Sequence, residues 1–173
     1  LTLNQEKDQS GYVPVYTNKE EFKLQGTISD DYPYYSLLIN DNNVDANWDD
    51  VDYNGNKNLK KSFSHSVKLK EGKNTFNVVV VDNNDNRSEV QTLVVYYKKA
   101  QKLASPQITA TTASDKKSVT VTGKAKDGNV LYSTDNGNKY NVLPEDGVTV
   151  KNNGKLLFKT VDKYGNESEV VEY

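Results

Sequence analysis

The chain has no cysteine and no methionine, and only one histidine and one tryptophan among its 173 residues. Without cysteine there are no disulfides, no thiolate nucleophile and no sulfur ligand for a metal. That absence fits an exported protein that folds without oxidation machinery, and it also fits a cytosolic one. Without methionine the sequence carries no initiator, which points to a segment of a longer polypeptide. A single histidine leaves only one candidate for the proton carrier of a Ser-His-Asp arrangement. No apolar run reaches the roughly 18 residues a membrane helix needs, and no charged-then-apolar leader or Arg-rich presequence is present, so no membrane insertion is expected. A net charge of -2 gives nucleic acid no basic face to bind. Apolar residues make up 35% of the chain and mean hydropathy is -0.81, which implies modest cores under a wet surface.

What is present is a stretch that occurs twice. Val81-Asp82-Asn83-Asn84-Asp85-Asn86-Arg87-Ser88-Glu89-Val90 is matched by Val161-Asp162-Lys163-Tyr164-Gly165-Asn166-Glu167-Ser168-Glu169-Val170. Each copy follows an apolar run opened by Gly-Lys, with Phe76 or Phe158 inside it, and each precedes a second apolar run. Asp, Asn and Ser cap backbone turns, Gly and Asn tolerate positive φ, and β-branched flanks suit strands, so each copy is a β-hairpin. One hairpin per repeat of this length means tandem all-β modules.

Residues 1–11 are polar and unpatterned and are expected to fray. Tyr12 to Thr17 forms a first strand, held to an edge by Pro14. Glu21 to Ile28 alternates with period two, and Tyr35 to Ile39 follows a turn at Asp30-Asp31-Tyr32-Pro33. Asn40-Asp41-Asn42-Asn43 is a turn cluster. Asp45 to Lys61 is the least regular part, with a turn signal at Asn54-Gly55. Order returns where Phe63, His65, Val67 and Leu69 alternate with polar residues. The apolar runs Thr75 to Val81 and Glu89 to Tyr97 belong at the centre of a sheet. Seven short strands then follow between Gln107 and Tyr173, the pattern of a sandwich. The expected organisation is two tandem antiparallel β-sandwiches, residues 1–100 and 106–173, joined by an exposed linker at 101–105.

Leu24-x-Gly26-x-Ile28-x-Asp30, Leu38-Ile39-Asn40, Phe63-x-x-x-Val67-x-Leu69-x-Glu71-Gly72-x-Asn74 and Val81-Asp82 through Ser88-Glu89 resemble the immunoglobulin-like or fibronectin type III-like modules of Gram-positive surface proteins. Within that class, the Lys, Asn and Tyr-rich wording resembles the C-terminal accessory domains of streptococcal cell-envelope subtilisin-like proteases, the lactocepin, C5a-peptidase and chemokine-cleaving group. Tyr132-Ser133-Thr134-Asp135 and Asp162 to Ser168 are similar to the small sandwich appended to the same enzymes. Family members commonly have Gly before the Asn of the hairpin turn. Gly165 fits, whereas the first copy has Asp85, which makes Asn86 the expected residue with positive φ there.

Several constellations invite chemistry. His65 lies on a strand face with Phe63, Val67 and Leu69, where a packed histidine is the simpler reading than a general base. The Gly-Thr-Ser and His-Gly signatures of subtilisin-like active sites are absent. Asp41-x-Asn43-x-Asp45-x-Asn47-x-Asp49 with Asp52 places oxygen ligands at EF-hand-like offsets, but Ala46 replaces the loop Gly, Asp52 replaces the bidentate Glu, and no helices flank it. An acidic solvated loop is the expectation there, and no cofactor or metal is expected. Asp82-x-Asn84-Asp85-Asn86 spells a cadherin-type calcium linker but sits between two strands, so turn chemistry explains it. The sequons at Asn86 and Asn166 also fall inside the repeated turn. Tyr32, Tyr34, Tyr35 and Trp48 are the candidate surface contact, weighed against ordinary packing of aromatic residues in a sandwich.

The resemblance implies non-catalytic accessory modules of an extracellular, cell-wall-attached serine endopeptidase, with no enzyme activity in this segment. Their expected partners are other domains of the same polypeptide and a protein substrate. The alternative is an adhesin module that binds a host surface protein or glycan through the Tyr32 to Trp48 loops. Titrating Ca²⁺ is expected to leave Trp48 emission and the melting temperature unchanged; a shift in either would make the Asp41–Asp52 stretch a metal site.

Overall fold

The computed structural model describes residues 1–30, 35–52 and 59–173, with side chains for all of these except 30, 35, 49–52 and 59. Every regular element among them is a strand, and the chain divides into two compact units, Leu1–Lys99 and Ala100–Tyr173.

In the first unit, β1 (Thr2–Leu3), β5 (Glu21–Asp30), β9 (Leu59–Lys68) and β8 (Asn47–Asp52) form one sheet in the order β1-β5-β9-β8. The facing sheet runs β4-β11-β10-β6-β7, with β4 Val15–Thr17, β11 Gln91–Tyr97, β10 Gly72–Asp82, β6 Tyr35–Ile39 and β7 Asn42–Val44. Period-two alternation supplies the core between them: Leu24, Ile28, Leu37, Ile39, Phe63, Phe76, Val78, Val80, Leu93 and Val95 are all buried. Both apolar runs of the first hairpin lie inside this sheet, β10 between β6 and β11, and β11 between β10 and β4.

Gly26 is where the two edges of β5 close up. An added Cβ would stand 2.6 Å from the Phe63 ring and 2.6 Å from the Thr2 carbonyl, so this position accepts only glycine. Gly26 pairs with Leu3 on one side and with Phe63 on the other.

The second unit is smaller. Strands β12 (Gln107–Thr112), β13 (Val119–Lys124) and β16 (Val148–Val150) form one sheet. Strands β15 (Asn141–Val142), β14 (Asn129–Ser133), β17 (Leu157–Val161) and β18 (Val171–Glu172) form the other, in the order β15-β14-β17-β18. Its core is Val121, Val130, Leu156 and Phe158, with Ile108, Leu143 and Val148 packed against them.

Several features differ from the sequence expectations. The stretch Asp45 to Lys61, expected to be the least regular, holds the strand β8 (Asn47–Asp52) and the start of β9 at Leu59. Residues 1–11 are ordered: Leu3 is 2% exposed, its N–H donates to the Tyr12 hydroxyl at 2.7 Å, and β2 (Lys7–Asp8) pairs with β3 (Gly11–Tyr12). Two leucines, Leu1 and Leu3, ahead of eight polar or glycine residues are too few to read as a period, yet they suffice to anchor a strand on an open sheet edge. The strand at Val15–Thr17 runs parallel to β11, so the first sandwich is not wholly antiparallel. The turn cluster shrinks to Asn40 and Asp41, with φ of 50° and 62°, because β7 already begins at Asn42. Asp85, not Asn86, takes positive φ, at 62°. Residues 101–105 are not a free linker: Leu103 is 7% exposed and forms a parallel bridge with Ser168. The Asn54-Gly55 turn signal and residues 31–34 lie outside the described residues.

Leu24 and Phe158 are each 0% exposed. Leu24→Ala is expected to lower the stability of the first unit by about 2–5 kcal/mol, and Phe158→Ala that of the second by about 3–5 kcal/mol. Denaturant unfolding checks both, and losses near those of surface substitutions would mean that neither residue is central to its core.

Candidate functional site

The duplicated bend is the most elaborate polar construction among the described residues. In the first copy, Asp82 Oδ1 accepts the backbone N–H of Asn84 at 2.8 Å and of Asn86 at 2.9 Å, while Asp82 Oδ2 accepts the Asn86 side-chain amide at 2.8 Å. The Asp82 N–H donates to the Asn86 carbonyl at 3.0 Å, and the Ser88 hydroxyl accepts the Val80 N–H at 3.0 Å. The second copy repeats these bonds atom for atom. Asp162 Oδ1 accepts from Tyr164 and Asn166 at 2.9 Å each, Oδ2 accepts the Asn166 amide at 2.9 Å, and Ser168 accepts the Thr160 N–H at 2.9 Å. The residue before each Asn is left-handed, Asp85 at 62° and Gly165 at 84°. Asp pays for αL more than Gly does, and the fixed side chains on either side hold it there.

These bonds to the ionised carboxylate, the Asn86 side-chain amide first, hold the Asp82 carboxyl below the ordinary carboxylate range. The folded value lies under the unfolded one. The stabilisation is therefore present above the ordinary Asp pKa and lost as pH falls through the depressed value. A second carboxylate bend sits at Asp135. The Ser133 hydroxyl donates to it at 2.7 Å and the Lys139 N–H at 3.0 Å, which also lowers its pKa, and Asn136 and Gly137 make the turn with φ of 59° and 86°.

The two copies differ in their surroundings. Asn86 is exposed, whereas Asn166 is 2% exposed and its Oδ1 accepts the Gln101 N–H at 3.1 Å. The Leu103 N–H reaches the Glu167 carbonyl at 3.0 Å, the Ser105 hydroxyl the Glu169 carbonyl at 3.3 Å, and Lys102 pairs with Glu169 at 2.6 Å. The Lys102 bond and its charge lower the Glu169 pKa. Residues 101–105 are thus a strap laid along the second bend.

The other candidate residues are scattered. His65 Nδ1 lies 2.7 Å from the Asp45 carbonyl oxygen, and since a carbonyl only accepts, Nδ1–H is the donor. Asn43 is on β7 and Asn47 on β8, strands of opposite sheets, so the EF-hand-like spacing is not one loop; the Asp49 and Asp52 side chains lie outside the described residues. Among the described residues, no three acidic or histidine side chains gather around one point. Trp48 is half-buried, its ring tilted 53° to Phe63 at 5.6 Å, and it closes one side of the first core. Tyr35 opens β6 opposite Asp82, and its side chain, with all of Tyr32 and Tyr34, lies outside the described residues. The strap and the burial of Asn166 were missed from sequence, although an isolated Leu103 in a lysine-rich stretch was their signal.

No family model matches the chain. It is 40% identical over 168 residues to a PII-type proteinase of Lactococcus lactis subsp. cremoris, covering 96% of this chain and 9% of the proteinase. The PIII-type proteinase of strain SK11 and a PII-type proteinase of Lacticaseibacillus paracasei match equally, with 8% and 9% of their lengths covered. The chain corresponds to one small segment of such proteinases. That agrees with the resemblance to the cell-envelope, subtilisin-like group. The chain spans less than a tenth of the length of these relatives. Among solved structures, the fibronectin(III)-like modules of Clostridium thermocellum CbhA superpose with a TM-score of 0.55 at 13% identity, covering 99% of this chain and 90% of theirs. That likeness shows the fold, the expected tandem β-sandwiches of fibronectin-like type.

Asn166→Ala removes the acceptor of a covered Gln101 N–H and is expected to cost about 1–3 kcal/mol. Asn86→Ala, at the exposed equivalent, should cost clearly less. Parallel denaturant melts of the two variants check the order, and equal losses would mean that the strap adds nothing.

Proposed function

We propose that the chain is a non-catalytic pair of accessory modules within an extracellular, cell-wall-attached serine endopeptidase of the subtilisin-like group. The observation that carries this reading is the 40% identity along 96% of the chain to a segment that is a small part of known proteinases. The geometry agrees with it. Fixed carboxylate bends and packed sandwiches make stiff spacers, and the one histidine is tied to a backbone carbonyl. The modules hold the catalytic part clear of the wall and add a contact for a protein substrate, the other domains of the same polypeptide being their immediate partners.

The isolated chain is expected to turn over no peptide, and measurable hydrolysis by it would overturn the reading. Deleting the segment from the parent proteinase should leave cleavage of a short peptide unchanged while slowing cleavage of a long protein substrate. Equal rates on both substrates would remove the substrate contact and leave the spacer. Binding of a host protein or glycan by the isolated chain, lost in Trp48→Phe, would instead favour an adhesin module. Phe is the substitution to use there because Trp48→Ala would also open the core beside Phe63.

A further inference from the structure

The two units can be aligned through their first strands. Leu3 pairs with Gly26 in the first unit, and Ile108 pairs with Gly123 in the second. An added Cβ would be crowded at both glycines, by Phe63 at Gly26 and by Ile108 and Leu143 at Gly123, each at 3.0 Å or less. With Leu3 equivalent to Ile108, Leu1 is equivalent to Pro106. The strap then corresponds to the residues that come immediately before Leu1.

The surface left for such a segment is shaped for it. A groove of about 390 Å³ runs from Leu1 past Ile28 and Val80 to Asn86, Arg87 and Glu89. Its far end is the bend whose counterpart is covered in the second unit. Among the described residues, the Asn86 Oδ1 and the Arg87 carbonyl receive no donor. The atoms equivalent to them, Asn166 Oδ1 and the Glu167 carbonyl, receive the Gln101 and Leu103 N–H groups. The Val81–Arg87 and Val161–Glu167 bridges fix the two bends in the same setting, so the outward acceptors are presented alike.

We propose that the polypeptide immediately upstream of Leu1 docks in this groove as an extended strap, parallel to residues 86–89, and donates two backbone N–H groups to Asn86 Oδ1 and the Arg87 carbonyl. The register gives it a spelling. The residue three positions before Leu1, equivalent to Leu103, is apolar and fills the groove, and the residue four positions before, equivalent to Lys102, is a cation facing Glu89. Each connector in the array then belongs structurally to the module that follows it. Recognition is by β-addition, in which main-chain bonds bind and one buried side chain sets the register.

The proposal rests on the reading of the chain as a segment of a longer polypeptide, and its test separates the two. Three forms of the chain are compared: as given, extended by its own six upstream residues, and extended by Ala-Gln-Lys-Leu-Ala-Ser, the sequence of the second unit's strap. Melting of the first unit and amide hydrogen exchange are measured on each. Both extensions are expected to raise its melting temperature by about 4–8 °C, the shift that one or two net hydrogen bonds give in a domain of this size, and to protect the amides five and three positions before Leu1. Replacing the residue three positions before Leu1 by Asp should abolish the rise without touching the folded module. If the grafted strap stabilises and the native extension does not, the occupant is wrong. If neither does, the groove is not a strap site. A reading frame with nothing ahead of Leu1 would remove the longer-polypeptide reading itself, whereas an upstream stretch that leaves the groove open overturns only this inference.

Discussion

A carboxylate that gathers backbone N–H groups from its own turn is the interaction on which both units depend. Asp82 and Asp162 each collect two main-chain donors and one side-chain amide at 2.8–2.9 Å. Such a bend fixes where β10 meets β11 and where β17 meets β18, and therefore which faces of those strands point inward. Phe76, Val78 and Leu93 in one unit, and Phe158 in the other, reach their cores only because this reversal leaves no freedom to slip by one residue. In a chain without disulfides and with few apolar residues, polar reversals of this kind carry specificity that a larger core would otherwise supply.

Much of the fold was legible because it is written in period two. The strand expected at Glu21 to Ile28, which runs two residues further to Asp30, Tyr35–Ile39 and the seven strands from Gln107 onward stand where alternation and turn residues place them. What escaped was the polar strand Asn47–Asp52 and structure built from single residues. Leu3 and Leu103 sit in stretches too short in apolar residues to show a pattern, yet each is buried where an open strand edge offers main-chain partners. Pairing along an edge depends on what lies opposite in space, and sequence alternation carries no information about that. The left-handed Asp85 was missed for a related reason: intrinsic preference favours Asn86 for that conformation, but the Asn86 amide is already committed to Asp82.

The candidate chemistry was less legible than the architecture, because the same residue types serve turns and sites. The acidic spacing from Asp41 onward resembles a metal loop in one dimension, while the backbone divides it between two sheets. Trp48 resembles an exposed platform in sequence but leans on Phe63. The repeated bend carried the strongest signal, and its difference between copies, Asn86 exposed against Asn166 covered, became visible only when the neighbouring segment was placed.

The parallel pairing of Val15–Thr17 with Val95–Tyr97 has a consequence for a chain under tension. Force arriving at β4 from its N-terminal side and at β11 from its C-terminal side pulls the two strands in opposite directions along a shared axis. Their hydrogen bonds, and the Lys98 N–H bond to the Thr17 carbonyl that extends them, are then loaded in shear and must break together instead of unzipping one at a time. A short edge strand that adds little to equilibrium stability can in this way set how much pull the first unit withstands before it opens.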